Sequence, residues 1–151
     1  MGKEKMTKLE KQWVLYDVGN SAFVMLVSTI IPIYFKNMAT ASGISAANST
    51  AYLSYAISIS TILVALLGPV CGAAADNKGF KKPLFTAFMM IGVIACAAMG
   101  IPKTWLAFLV VFVLAKVGYS SSLVFYDAML GDVTTPERMD VVSSQGYAWG
   151  Y

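Results

Sequence analysis

The sequence predicts an all-α, polytopic membrane protein, in which a bundle of helices crosses the bilayer several times. Of its 151 residues, 58% are hydrophobic and only 13% are charged, whereas a soluble domain has about 45–50% apolar and about 25% charged residues. The hydrophobic residues form long continuous runs, which favours membrane helices over membrane strands, where apolar and polar residues alternate. This composition excludes a soluble enzyme, a disordered tail and a nucleic-acid-binding protein.

Four hydrophobic segments are long enough to cross a membrane, because a bilayer core about 30 Å thick requires about 20 largely apolar helical residues. A cytoplasmic tail of residues 1–12 precedes this membrane region of residues 13–151. The first segment could instead be a cleaved signal peptide, but its apolar run exceeds the roughly 7–15 residues of a signal core, and it begins with Asp17 and Asn20. The four segments are residues 13–35, 51–75, 84–101 and 104–126.

The basic residues predict which side of the membrane each loop faces. Loops on one side carry eight Lys and Arg residues and loops on the other side carry two, and such an excess marks the cytoplasmic side. We therefore expect a multi-pass protein of the cell membrane, or of the vacuolar membrane in a eukaryote, with a cytoplasmic N-terminus. The eight are Lys3, Lys5, Lys8, Lys11, Lys78, Lys81, Lys82 and Arg138, and the two are Lys36, in the predicted loop 36–50, and Lys103.

A fifth helix is predicted to begin at about residues 136–143. Thr134 and Thr135 can cap a helix, and Pro136 suits its first turn. Residues 146–151 are again largely apolar, and the sequence stops in the middle of that pattern. We therefore expect an N-terminal fragment of a longer protein, with four transmembrane helices and the start of a fifth.

The first span carries a polar face. Asp17, Asn20, Ser21 and Ser28 lie at offsets of 0, 3, 4 and 11 residues, and at 100° per residue these positions fall on one side of an α-helix. Polar groups are costly in lipid, so this face must contact other helices or a water-filled cavity. Both alternatives fit Asn20 and the serines, whereas the charge of Asp17 favours the cavity.

The second span carries a stripe of small residues that recur every three or four positions. Such a stripe lets the backbone of another helix approach closely, so we predict a tight helix contact at Gly68 and Gly72. The third span carries no charge and is the candidate for a lipid-facing helix. The stripe consists of Ser54, Ser58, Thr61, Ala65, Gly68, Gly72 and Asp76.

Lys116 is the one charge inside the fourth span. It lies 12 residues from Thr104 and 10 from Tyr126, which places it near the bilayer midplane. A lysine there costs about 3 kcal/mol or more unless it faces polar groups, and Ser120 lies one helical turn away. Either Lys116 forms an internal ion pair that supports packing, or it contacts a solute or a coupling ion. The second interpretation is favoured, because intramembrane charges usually mark transport pathways.

The loop between the second and third spans resembles a signature of the major facilitator superfamily of transporters. Residues 72–82 read GAAADNKGFKK, and the signature is G-x-x-x-D-R/K-x-G-R/K-R/K. Asn77 and Phe80 stand where a basic residue is usual, and Lys78 and Lys82 place cations nearby. The matching residues are Gly72, Asp76, Gly79 and Lys81.

Three further segments resemble one branch of that superfamily, the vacuole-effluxer-like transporters, which are related to autophagy-associated amino-acid effluxers. Residues 13–23 are similar to the branch's opening motif W-x-x-Y-D-x-A-N-S-A-F, with Gly19 in place of an alanine. Residues 125–130 are similar to F-Y-N/D-A-x-L at the end of helix four, and residues 143–151 to S-x-x-G-Y-A-x-G-Y at the entry to helix five. Together the four segments extend over nearly the whole chain in the family's order.

The resemblance implies a twelve-helix transporter made of two six-helix halves, in which helices one and four line a central cavity and helix three is peripheral. It also implies that Asp76 latches the outward-open state by contacting the second half, while Gly72 and Gly79 permit the close contact and the turn. A carboxylate at a helix N-terminus and beside cations such as Lys81 would favour a contact that exists in one state only.

We therefore expect a secondary active transporter that moves a small polar solute by alternating access, with amino acids as the candidate solutes and efflux as the candidate direction. The expected partners are the lipid bilayer, the solute and the missing C-terminal half. No enzymatic activity, cofactor, metal site or nucleic-acid partner is expected. The residues expected to line the solute path are Asp17, Asn20, Ser21, Lys116 and Ser120. Those expected to form the gate are Gly72, Asp76, Gly79 and Lys81.

Two other functions stay open. The chain could be a small non-transporting membrane scaffold or regulatory subunit, a role that the small-residue stripe of the second span would suit. It could also be a small complete transporter that works as an oligomer. The size of the native protein discriminates these alternatives from a longer transporter.

Overall fold

The computed structural model describes residues 5–77 and 79–150, so predictions that involve Lys3, Lys78 and Tyr151 lie outside the described residues. Every regular element in these two ranges is a helix, which confirms the all-α fold. The elements are α1 (Lys8–Met25), a π-helical turn (Leu26–Ile30), α2 (Ile31–Ala41), α3 (Ala46–Ala75), α4 (Lys81–Ala98), α5 (Trp105–Ala128), α6 (Leu130–Val133), a 3-10 turn (Pro136–Arg138) and α7 (Met139–Gly150).

Four continuous helices are long and apolar enough to cross a membrane. They run over Lys8–Ala41, Ala46–Ala75, Lys81–Ala98 and Trp105–Ala128. The first two extend beyond the predicted spans, so most of the predicted loop 36–50 is helical and only residues 42–45 connect them. Gly43 turns the chain there at φ 84°, a left-handed conformation that glycine adopts without steric cost. Ser45 then caps α3 by accepting a hydrogen bond from the backbone N–H of Asn48 at 3.2 Å.

The π-helical turn lies just before Pro32, which has no backbone N–H to donate. Two hydroxyls of the turn bond to earlier carbonyl groups: Ser28 donates to the Val24 carbonyl at 2.9 Å, and Thr29 donates to the Met25 carbonyl. A π-helical turn holds more residues than an α-helical one, so side chains rotate away from their α-helical positions. Ser28 is accordingly exposed, whereas Asp17, Asn20 and Ser21 earlier on the same helix are half-buried.

The chain divides into two compact units. Unit 1 comprises Met1–Ile30 and Ala128–Tyr151, and unit 2 comprises Ile31–Asp127. In unit 1, α1 packs along α7, and the core between these helices is small and includes one charged side chain. The buried residues of the two helices are Glu10, Trp13, Val14, Val142 and Gly146.

Unit 2 contains α2 to α5, and α5 is its most buried helix. In the apolar stretch of α5, 44% of the residues are buried, against 11% in each of the other three apolar helices. Aromatic contacts join α5 to each of its neighbours. The ring centroids lie 5.4 Å apart for Phe108 and Tyr34 of α2, 5.2 Å for Trp105 and Tyr52 of α3, and 5.7 Å for Phe125 and Phe88 of α4.

A backbone-to-backbone contact joins α4 to α5 at Gly92 and Gly118. A Cβ atom on Gly118 would lie only 2.5 Å from the backbone nitrogen of Gly92, so the contact requires glycine. Gly92 is the one buried residue that α4 contributes within its described range. The other residues of α4 are exposed or half-buried, while its glycine is tightly packed.

The predicted helix contact at Gly68 and Gly72 does not occur among the described residues. No atom of residues 5–77 or 79–150 lies within 4 Å of the Cβ position of either glycine, beyond the helix's own neighbouring backbone. The reason is that α3 buries a different face. Its buried residues are Ser49, Leu53, Ala56, Ser60 and Ala75, whereas Ser54, Ser58, Thr61 and Ala65 of the stripe are exposed.

Candidate functional site

Asp17, Asn20 and Ser21 lie half-buried within one turn of α1, and Asp17 and Ser21 contact α7 in unit 1. Gly146 and Gly150 make this contact possible because they carry no side chain. A Cβ atom on Gly146 would lie 3.0 Å from Asp17 Oδ2, and a Cβ atom on Gly150 would lie 2.9 Å from Ser21 Oγ. Unit 1 thus brings together three of the five residues predicted for the solute path.

The hydrogen bonds of this polar group leave an acceptor without a donor. The Asn20 side chain donates to the Asp17 carboxylate, and Ser21 Oγ donates to the backbone carbonyl of Asp17 at 3.1 Å. Asn20 Oδ1 is buried and has no hydrogen-bond partner in the described part of the chain. Within the same ranges no basic side chain pairs with Asp17, so its carboxylate has no counter-charge there.

Glu10 links the start of α1 to the segment that precedes α7. Its side chain is fully buried, and the Arg138 guanidinium donates from Nε to Oε1 and from Nη2 to Oε2, each at 3.0 Å. Thr134 Oγ1 donates to Oε1 at 2.7 Å. Thr7, the N-cap of α1, donates its backbone N–H to Oε2 at 2.7 Å and accepts from the Glu10 N–H at 3.2 Å. Bidentate, charge-assisted contacts of this kind are among the strong hydrogen bonds.

The same contacts favour the ionised form of Glu10. This residue lies in the first turn of α1, before the hydrophobic residues that begin at Trp13, and hence outside the segment predicted to cross the bilayer. Hydrogen bonds from Arg138 and Thr134 lower the pKa of its carboxyl group from 4.5 to about 2, against the opposing effect of burial. Glu10 is therefore ionised at neutral pH and acts as a structural clamp.

Lys116 and Ser120 lie one turn apart on α5 in unit 2, and both are half-buried. Neither side chain forms a hydrogen bond or ion pair with any residue that the structure describes. The internal ion pair, one of the two interpretations of Lys116, is therefore not formed within this part of the chain.

The loop between α3 and α4 carries the predicted gate residues. Asp76 is the exposed C-cap of α3, so its predicted place at a helix N-terminus is wrong, because α4 begins only at Lys81. The helix dipole disfavours an anion at a C-terminus, which leaves Asp76 more to gain from a cationic partner. Gly79 adopts φ 88°, a conformation that favours glycine, and Gly72 lies in open space within α3 as far as the described residues extend.

Sequence reasoning missed Glu10, Arg138 and the two glycines of α7. The spacing of Thr7 and Glu10 is that of a capping box, but the partner arginine lies 128 residues further along the chain and leaves no local signal. Gly146 and Gly150 have the spacing of a G-x-x-x-G contact motif. That signal could have pointed to the contact between α1 and α7.

The remaining chemically notable groups lie in unit 2. Ser121 of α5 is buried, and its Oγ has no hydrogen-bond partner among residues 5–77 and 79–150. Cys71 and Cys96 are free, half-buried thiols. No group of three or more His, Cys, Asp or Glu side chains in the described ranges could hold a metal ion.

A family model described as Vacuole effluxer Atg22 like matches residues 6–146. The chain belongs to this family. A similar protein is the Uncharacterized MFS-type transporter YxiO of Bacillus subtilis (strain 168), with 46% identity over 151 aligned residues that cover 98% of this chain and 35% of the relative. The chain thus spans about a third of that relative's length. No solved structure matches the chain.

Membership of the Atg22-like family confirms the resemblance carried by the sequence motifs. Together with the four long apolar helices, it makes the chain a multi-pass membrane protein of the major facilitator type. The family consists of transporters rather than enzymes, as the sequence led us to expect.

Proposed function

We propose that the chain forms the first helices of a secondary active transporter that moves a small polar solute by alternating access. Amino acids are the proposed solutes and efflux the proposed direction, in keeping with the effluxer description of the family model. The chain spans 35% of the YxiO length, and the other helices of the transporter are proposed to come from the rest of a longer protein.

Lys116 is the observation that carries this proposal. It is a half-buried charge in α5, the most buried helix of unit 2, next to the fully buried Ala115, and it lacks an acidic partner among the described residues. A charge kept in a membrane helix without an ion pair is costly. Binding a polar solute or ion offsets that cost, and we place Lys116 and Ser120 on the solute path.

The test compares two lysine variants in membranes of the source cell. Cells are loaded with a radiolabelled amino-acid mixture, and its efflux is measured for wild type, Lys116→Ala and Lys103→Ala. Lys103 is the matched control because it is exposed in the connection before α5. We expect Lys116→Ala to lower the efflux rate at least about tenfold, the loss of one charge-assisted contact, at equal protein level. Unchanged efflux would remove Lys116 from the path.

The gate residues are proposed to act through the loop between α3 and α4. Asp76 would form its contact in one conformational state, with Lys81 nearby and Gly79 providing the turn. Gly72 would leave room for a helix that approaches in that state. Asp76→Asn should then slow the exchange between states, measured as solute counterflow, while solute affinity is unchanged. Asp140→Asn, at another exposed aspartate, is the control, and a change in affinity alone would contradict the gating role.

The N-terminus is proposed to face the cytoplasm, and the protein to reside in the cell membrane, or in the vacuolar membrane of a eukaryotic host. The excess of lysines around α1 and the loop after α3 supports this orientation. Single cysteines introduced at Lys11 and Lys103, in a background without Cys71 and Cys96, should label from opposite sides with an impermeant thiol reagent. Labelling of Lys11→Cys from outside intact cells would reverse the orientation.

A second candidate is a non-transporting scaffold or regulatory subunit, favoured by the exposed small residues of α3. An N-terminal tag followed by blotting of membranes from the source cell separates the two functions. A band far above 16.2 kDa supports a longer transporter. A band at that mass supports the scaffold, or a small transporter that works as an oligomer, over the longer transporter.

A further inference from the structure

The polar group on α1 holds a negative charge without a counter-charge. Asp17 is half-buried in a helix whose apolar stretch is long enough to cross a membrane, and its carboxylate receives one side-chain hydrogen bond, from Asn20. No lysine or arginine of the described ranges pairs with it. A carboxylate removed from water in this way is costly unless a cation or a proton neutralises it.

Two neutral oxygen atoms beside this carboxylate can still accept a hydrogen bond or bind a cation. The amide nitrogen of Asn20 donates one hydrogen bond to Asp17, and the oxygen of the same planar amide is buried with no donor in the described part of the chain. Ser21 Oγ donates its one hydrogen to the backbone carbonyl of Asp17 at 3.1 Å. Its lone pairs are then the part of the hydroxyl that can bind a ligand. Such a set of oxygens is complementary to a cation or to a strong N–H donor.

The two glycines of α7 hold the oxygens in place from the other side. The Cβ position of Gly150 lies 2.9 Å from Ser21 Oγ and 3.4 Å from Asp17 Oδ2, and that of Gly146 lies 3.0 Å from the same Oδ2. A side chain at either position would occupy the space that the oxygens now use. Asp17 and Ser21 therefore pack directly against the backbone of α7 at these two glycines.

We propose that Asp17, Asn20 and Ser21, backed by Gly146 and Gly150, form a binding subsite for a small cation. Two sources share this chemistry: the ammonium group of the transported solute, and a free alkali-metal ion such as Na⁺. Asp17 supplies the charge, Asn20 Oδ1 and Ser21 Oγ supply neutral oxygen ligands, and the glycines set the position of the carboxylate. This subsite deepens the proposed transport function and rests on it.

Direct binding to the purified full-length protein tests the subsite without requiring transport. The probes are radioactive Na⁺ and radiolabelled methylammonium, each in an excess of choline, which is cationic but has no N–H and is too large. We expect at least one probe to bind saturably. Saturation by Na⁺ alone assigns a free ion, and saturation by methylammonium alone assigns the ammonium group of a solute.

Variants connect the binding to named atoms. Asp17→Asn should abolish it, and Asn20→Ala should weaken it about tenfold, the loss of one hydrogen bond to a charged group. Gly150→Ala should weaken it as well, because its Cβ displaces Ser21 Oγ. Ser28→Ala, at an exposed position of the same continuous helix, and Gly19→Ala, in open space on α1, are the controls that should bind as wild type does. Thermal unfolding of each variant separates loss of binding from loss of the fold.

Three results would overturn the subsite. They are the absence of saturable binding by either probe, binding that Asp17→Asn leaves intact, and a site that responds to protons but to neither cation. Its failure is separable from that of transport. Solute efflux that persists without cation binding rejects the subsite alone, whereas the absence of solute efflux from wild-type cells rejects the transport function itself.

Discussion

Glycine serves different purposes in the two units of this protein. In unit 2, Gly92 and Gly118 bring the backbones of α4 and α5 into contact, amid apolar and aromatic side chains. In unit 1, Gly146 and Gly150 make room for the Asp17 carboxylate and the Ser21 hydroxyl of the neighbouring helix. Small residues in membrane helices therefore either tighten the packing of two backbones or admit polar groups between helices.

The difference extends to the contacts that hold each unit together. Unit 1 relies on a buried ion pair between Glu10 and Arg138 and on the hydrogen bond that Thr134 donates to the same carboxylate. Unit 2 relies on ring contacts along α5 and on the glycine crossing. Polar contacts respond to charge and pH, whereas apolar and backbone contacts respond to volume. The two units should accordingly fail under different substitutions.

The largest effect is expected for Gly118→Ala in unit 2. The added Cβ would lie 2.5 Å from Gly92 N and 3.0 Å from the Phe88 carbonyl oxygen, and neither backbone atom can rotate away. We expect a loss of about 3 kcal/mol in the free energy of unfolding, the upper part of the range for overpacking. Hydrogen exchange should rise in α4 and α5 and stay unchanged in α1 and α7.

Gly68→Ala is the matched control for this substitution, because the Cβ position of Gly68 is open among the described residues. Replacing a helical glycine by alanine in open space stabilises by up to about 1 kcal/mol. Equal losses for the two variants would contradict the glycine crossing as a packing contact.

A smaller effect is expected for Glu10→Gln in unit 1. The substitution keeps the size of the side chain but removes the charge that Arg138 and Thr134 contact. We expect a loss of about 2 kcal/mol, within the range for a hydrogen bond to a charged group, with increased exchange confined to α1 and α7. Glu137→Gln, at an exposed glutamate, should change neither. Increased exchange in α4 and α5 would break the separation of the two units.

The smallest effect is a dependence of stability on acid that arises from Glu10 in unit 1. Because the pKa of Glu10 is lowered from 4.5 to about 2, its contribution to stability is complete above pH 4.5 and is lost as the pH falls toward 2. The unfolding temperature of the wild type should therefore fall more steeply over this range than that of Glu10→Gln. If the unfolding temperatures of the two proteins fell in parallel with pH, protonation of Glu10 would not be coupled to unfolding.

The sequence predicts the fold through the length of its hydrophobic runs, and the structure retains all four apolar helices. The length of these runs does not predict irregular turns within the helices. The length of the first run does not predict the π-helical turn before Pro32 or the exposure of Ser28 within that turn. The polar positions before that turn, Asp17 and Ser21, keep the α-helical spacing and do lie on the face that contacts α7.

Sequence patterns do not predict which residues far apart in the chain contact each other. Gly68 and Gly72 have the spacing of a helix contact. The close contact of two helices occurs instead at Gly92 of α4 and Gly118 of α5, so that each helix contributes a single glycine. The spacing of small residues along one helix shows which face another helix could approach closely. The tilt and rotation of the second helix decide which face it packs against. The pairing of Glu10 with Arg138 depends in the same way on how α1 and α7 pack.

The most direct test of this account is the solute flux per folded molecule in Asp17→Asn and Gly118→Ala. The amount of folded protein is measured by its unfolding transition in the same membranes. We predict that Asp17→Asn abolishes flux while the unfolding temperature stays close to that of the wild type. Gly118→Ala should lower the unfolding temperature, and its flux per folded molecule should stay well above that of Asp17→Asn. Normal flux in folded Asp17→Asn would contradict the account, because the polar face of α1 would then only support packing.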